Sequence, residues 1–245
     1  MKPFSAGLVA TNVVVLWWIA RATELNWAPL WLSLQIAALA TLVTLVVGVA
    51  LALVLGWKRL PVPDFVDAVI SAPLVLPPTV LGYYILVVVG NDSALDGVWQ
   101  WLFDGRRIVF NFEGAVIAAA LGSLPLVVRA VRVGLEAVDP NLVNAARTLG
   151  ASPIRVLFTV VLPLAAPGII AGAMLGFARA LGDYGATQMV AGSRIDGVAT
   201  ASIYVMDQLH TGHDGNVFAM SAATALFGVT MLYFANRMTR RLRRG

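Results

Sequence analysis

A chain of 245 residues that is charged at only 12% of its positions, apolar at 59%, and +4 in net charge lacks the polar surface that a water-soluble fold needs. The bilayer must act as its solvent, and a free globular protein is excluded. With no cysteine present, disulfides, thiolate nucleophiles and iron–sulfur ligation are excluded too.

Uncharged stretches occupy residues 3–20, 29–57, 68–91, 114–128, 156–178 and 215–236. A helix needs about 20 mostly apolar residues to cross roughly 30 Å of hydrocarbon, and four of the six are long enough. The stretch at 114–128 is 15 residues, which Glu113 and Arg129 can extend by snorkelling. The expected fold is all-α and polytopic, with about six transmembrane helices. Residues 1–28 form an N-terminal span, 29–236 the main transmembrane domain and 237–245 a basic tail. The first stretch also fits a signal peptide, since Lys2 precedes it and Ala20-Arg21-Ala22 resembles a cleavage site. Trp17-Trp18 favours a span, because paired tryptophans suit the membrane interface. Trp27, Trp31 and Trp57 fit the same aromatic belt.

Within the third stretch Pro77-Pro78 predicts a kink, followed by the hydroxyl of Thr79; Ser123 stands before Pro125 in the next. Both hydroxyls are candidate donors along a path. Equally, they can satisfy backbone groups that the prolines leave free.

One patterned polar island follows. Asp139-Pro140 is a helix start, its carboxylate accepting from free backbone donors and its proline suiting the first turn. Gly150 is a stop that tolerates the left-handed conformation. Between them Leu142, Ala145, Ala146 and Leu149 share one face of a helix of about ten residues. Ser152-Pro153 restarts a helix at once. The sharp corner at Gly150 presents two alanines where a partner protein can approach closely, although an ordinary surface helix between two spans has the same local features.

Placing this island in the cytoplasm puts twelve basic residues inside, namely Lys2, Lys58, Arg59, Arg129, Arg132, Arg147, Arg155, Arg237, Arg240, Arg241, Arg243 and Arg244. Only Arg21, Arg106, Arg107 and Arg194 fall outside. The positive-inside rule then sets the direction, with both termini cytoplasmic. It also accounts for the basic excess without nucleic acid.

Arg179 closes a long apolar span, with Asp183 at i+4. It is either a cation that attracts or gates an anion, or half of a helical ion pair where the helix leaves the membrane. The outer stretch 182–215 is too long for a simple turn, and its uncharged residues 197–206 suit a short interfacial or re-entrant helix. Together with the loop at 91–111 it offers charges that can seat an external protein. His210 and His213 read as solvated loop residues in preference to a metal pair. Neither lysine follows a glycine, so no Gly-Lys-Ser/Thr phosphate cradle is present; neither catalytic residues nor a cofactor are expected in this chain.

The island resembles the E-A-A-x3-G-x9-I-x-L-P signature of permease subunits of binding-protein-dependent ABC importers, here Asn144-Ala145-Ala146, Gly150, Val160, Leu162 and Pro163. Asn144 replaces the glutamate and Val160 the isoleucine, so position 144 lacks a carboxylate. Residues 73–82 (PLVLPPTVLG), 124–132 (LPLVVRAVR), 145–151 (AARTLGA) and 177–186 (FARALGDYGA) resemble the molybdate branch of that family. The likeness runs from about Trp31 to the tail, which makes the first span an extension of a five-helix permease core. It implies a homodimer in the bacterial cytoplasmic membrane that imports molybdate, or alternatively tungstate or sulfate. A periplasmic or extracellular oxyanion-binding protein would deliver the anion, and cytoplasmic ABC ATPase subunits would hydrolyse the ATP. It also implies a coupling helix at about 139–151, with Asp139, Pro140, Asn144, Ala145, Ala146, Gly150, Ala151 and Ser152 as coupling residues. The candidates for the path or its gate are Pro77, Pro78, Thr79, Ser123, Arg179 and Asp183. A secondary transporter fits less well, for neither inverted repeats nor intramembrane acids for ion coupling are evident. A membrane enzyme fits least, since no cluster of reactive groups lies within a span.

Overall fold

The computed structural model describes residues 26–56, 63–90 and 93–242. The expected N-terminal span, Trp17-Trp18, Trp57, Lys58, Arg59 and the end of the basic tail lie outside the described residues. Among the described residues ten helices follow in chain order: α1 Ala28–Leu55, α2 Pro63–Val75, α3 Pro78–Val89, α4 Ala94–Leu102, α5 Phe112–Glu136, α6 Pro140–Thr148, α7 Pro153–Leu181, α8 Gly185–Ala191, α9 Ala201–His210 and α10 Asp214–Leu242. Four of them are long and apolar enough to cross a bilayer: α1, α5, α7 and the Asp214–Tyr233 part of α10. Counting α2 and α3 together as one broken span gives five.

That pair corrects the expectation of a single kinked span over 68–91. Its two helices meet at 117° across Leu76 and Pro77. Two consecutive prolines remove two backbone donors, and Pro78 holds Pro77 out of the helical region at ψ = 138°, so the helix stops and a new one begins with Pro78 in its first turn. α2 packs beside the C-terminal half of α5, where Arg129 Nη2 donates to Ser71 Oγ at 2.9 Å and Arg132 Nη1 lies 3.5 Å from Asp67 Oδ1. α3 packs beside the other half of α5 and against α8.

The sequence stretch at 114–128 becomes part of a helix of 25 residues, in whose C-terminal half Arg129 donates to Ser71 of α2 and Arg132 pairs with Asp67 of α2 and with Glu136. α5 is the centre of the bundle. Lipid tails are as apolar as the side chains, so helices associate in a bilayer by close packing and not by the hydrophobic effect. α5 and α7 accordingly touch backbone to backbone: a Cβ added at Gly168 would lie 2.5 Å from Gly134 Cα. Further along the seam Gly176 rests on Val127. On its other side α5 buries Val127 and Val128 against α1, around Gly48.

α6 sits at one end of this bundle, between the end of α5 and the start of α7. α9 marks the opposite end and forms an antiparallel hairpin with the start of α10, in which Asn216 donates to Gln208 Oε1 at 2.8 Å. The expected short helix at 197–206 is thus found as α9, displaced a few residues toward the C-terminus. The loop at 91–111 contains an unforeseen helix, α4, capped by Ser93 and secured by the buried Asp96, which accepts from the Ile108 N–H at 3.2 Å.

Candidate functional site: an uncovered corner and a charge inside the bundle

The corner at α6 is built almost wholly from local chemistry. Asp139 caps the helix by accepting from the Asn141 N–H at 2.8 Å, and Pro140 fills the first turn. At the other end Gly150 takes φ = 82°. The Ala151 N–H then reaches the Ala146 carbonyl at 3.1 Å and the Gly150 N–H reaches that of Arg147 at 3.0 Å, the paired bonds of a Schellman stop. Ser152 caps the next helix through the Arg155 N–H. None of the α6 side chains is buried; Leu142 is 49% exposed and the adjoining Leu149 88%. Asn144 and Ala145 are exposed, and Ala146 is half-covered.

Beyond the corner α7 is not regular. Residues Leu157–Val161 form one π-turn, closed by the Leu162 N–H on the Leu157 carbonyl. Pro163 explains it, since its ring would collide with the Thr159 carbonyl in a regular helix and it has no N–H to donate there. The Leu-Pro pair of the sequence pattern therefore marks a widened turn between the corner and the span.

A second constellation lies deep in the bundle. Arg179 Nη1 donates to Asp183 Oδ1 at 2.9 Å, and Asp183 also accepts from the Thr187 N–H at 2.8 Å and its hydroxyl at 2.7 Å. The Asp183 side chain is 1% exposed and that of Arg179 28%. The sequence expectation of an i,i+4 pair matches this bond, but its position does not match a helix leaving the membrane. Although α7 ends at Leu181, the chain continues outward as α8, and a Cβ on Gly122 would lie 3.5 Å from Arg179 Nη2. Gly122 is ten residues into α5, about 15 Å from its start and close to its midpoint. The pair is therefore an intramembrane charge held by its own carboxylate, with three bonds on that carboxylate offsetting its burial.

Two glycines bring the proline break to the same place. Gly185 lies against Pro78 and the Thr79 N, where a Cβ would approach to 3.0 and 3.1 Å. Gly82 lies against Met189 and Ala186. Pro77, Pro78 and Thr79 are exposed on the surface of the single chain and neighbour the segment that holds Asp183. Ser123 is not part of this group. It is wholly buried on the other side of α5, its hydroxyl donating to the Ala120 carbonyl at 3.1 Å and lying 3.4 Å from Thr44 Oγ1 of α1. In the single chain its hydroxyl is engaged in packing α5 on α1. No cluster of three potential metal-ligating side chains occurs among the described residues.

The family described as binding-protein-dependent transport system inner membrane component matches residues 45–244. The molybdenum transport system permease protein ModB of Escherichia coli K12 is 39% identical over 224 residues, spanning 89% of this chain and 96% of that one. ModB of Azotobacter vinelandii is 35% identical over 223 residues, 91% of this chain and 98% of its own.

The chain belongs to this transporter family.

Among solved structures, an amino acid ABC transporter with histidines superposes with a TM-score of 0.62 at 21% identity, over 91% of this chain and 96% of that one. An inward-facing MetNI methionine ABC transporter gives 0.64 at 17%, over 87% and 94%. At such identities these establish the fold, a transporter permease fold. Family membership agrees with the resemblance drawn from Asn144-Ala145-Ala146, Gly150, Leu162 and Pro163. What the sequence did not reveal is Thr187, which shares Asp183 with Arg179. The only available signal was its i+4 spacing from Asp183 on what is read as a loop.

Proposed function

We propose that this chain is the translocating subunit of an ATP-driven importer of molybdate, with tungstate as a close analogue. Its similarity to ModB proteins over nearly their whole length carries this reading. A partner subunit supplies ATP hydrolysis and seats α6, none of whose apolar residues is buried in the single chain. Two copies pair around a path, an oxyanion-binding protein delivers the anion on the α9 side, and α6 faces the cytoplasm of a bacterium. The distribution of twelve basic residues against four supports this sidedness, with both termini cytoplasmic and residues 1–28 adding a span. Asp139 through Ser152 form the coupling corner. Arg179, held by Asp183, acts as an intramembrane gate whose charge attracts the anion while its carboxylate partner prevents tight capture, which would slow release.

Sulfate is the competing cargo, favoured by one observation: a probable sulfate transport system permease protein, cysT of Marchantia polymorpha, is 30% identical over 82% of this chain and 69% of its own. Co-purifying the permease with its ATPase and binding protein, and measuring ATP hydrolysis in proteoliposomes, decides between them. Stimulation by molybdate and tungstate with none by sulfate is expected. Stimulation by sulfate alone overturns the molybdate reading.

A further inference from the structure

On the α9 side, a cavity of about 110 Å³ opens between α8, α9 and the loop that joins them. This is far more than the ~10–15 Å³ that admits one water, so the space takes a larger group. Tyr184 and Gln188 line it from one face of α8, at i and i+4; Ser193 and Arg194 come from the loop, and Asp207 and His210 from α9. Among the described residues the side chains of Tyr184, Gln188, Ser193 and His210 make no hydrogen bond with another protein group. Four neutral or weakly basic donors thus converge on one space together with a guanidinium.

Arg194 is only loosely committed. Its Nη2 lies 3.6 Å from Asp207 Oδ2, and its Nη1 donates to the Gly197 carbonyl at 3.3 Å. Both side chains of the ion pair are about half-exposed, so the pair is weak and exchangeable. A doubly charged anion attracts Arg194 more strongly than a single carboxylate does, and its oxygens accept from hydroxyl, amide and imidazole donors at once. Tyr184, one of the lining residues, directly follows Asp183 in the chain.

We propose that this cavity is an oxyanion-binding way-station, in which a tetrahedral dianion displaces Asp207 from Arg194 before moving to the Arg179–Asp183 pair. The inference rests on the transport reading above. Asp207 makes the station weak by design of charge: it competes for Arg194 whenever the anion leaves. The prediction is directional. Arg194→Gln removes a charge-assisted contact and should weaken oxyanion binding by roughly tenfold or more, whereas Asp207→Asn removes the competitor and should tighten it.

The test uses the permease reconstituted with its ATPase and without the binding protein, measuring equilibrium binding of radiolabelled molybdate, and a parallel preparation with the binding protein present, measuring ATP hydrolysis. Opposite shifts for the two variants, with a partial loss for Tyr184→Phe and partial rescue by Arg194→Lys, support the station; unchanged thermal unfolding excludes a folding defect. No binding by the wild-type complex, or no change or parallel losses in Arg194→Gln and Asp207→Asn, overturns it. So does a result in which Arg194→Gln impairs only stimulation by the binding protein, which would make the cavity a seat for that protein. Stimulation of ATP hydrolysis by molybdate in the wild type keeps the two ideas separate: its absence defeats the transport reading, and its presence with unresponsive variants defeats only the station.

Discussion

The corner at α6 and the charge pair beside α8 are opposites. α6 has no buried residue and holds its shape by caps: Asp139 at one end, Gly150 and the Schellman bonds at the other. α8 buries Gly185, Ala186, Thr187, Val190 and Ala191, and is held by α3, α5 and the Asp183 carboxylate. A segment that satisfies its own backbone and leaves its side chains bare is suited to holding something else. A segment with most of its residues buried within the chain is suited to keeping a charge in a place where lipid would reject it.

Asp183→Asn tests the difference most severely. Removing the carboxylate leaves Arg179 uncompensated inside the bundle, and breaking such a buried pair costs about 3–5 kcal/mol. A large drop in thermal unfolding temperature in detergent is expected; an unchanged one would mean that Arg179 is already solvated. Gly150→Val comes next. The position has open space around it but φ = 82°, so the penalty is backbone strain of about 1–3 kcal/mol confined to the corner. Molybdate-stimulated ATP hydrolysis should collapse with only a modest change in unfolding temperature, and retained stimulation would detach the corner from coupling. Leu149→Asp should have the smallest effect on the chain, because that side chain is 88% exposed. Unfolding is expected to stay unchanged while the ATPase subunit co-purifies poorly; full co-purification would remove Leu149 from the docking face.

How much was legible in advance follows the same division. The limits of α6 agree with the sequence expectation to within a residue, since capping carboxylates, first-turn prolines and a left-handed glycine act over three or four neighbours. The proline pair at 77–78 announced a disturbance, but not its size. Whether two prolines bend a span or break it depends on what receives the second half, here Gly82 and Gly185 between α3 and α8. Ser123 and Thr79 looked alike as hydroxyls beside prolines, yet one is buried on α1 and the other faces outward. Nothing local distinguishes them.

By itself the sequence determined that this protein lives in a bilayer, where its long apolar segments lie and where a capped polar corner interrupts them. These follow from composition and from interactions between near neighbours in the chain. Only the tertiary structure decided that Arg179 lies beside the middle of α5, and that α8 runs from the proline break of α3 toward the start of α5. Depth in a bundle is set by which helices pack together, and here by glycines that let backbones touch, a relation between residues far apart in sequence that no local pattern encodes.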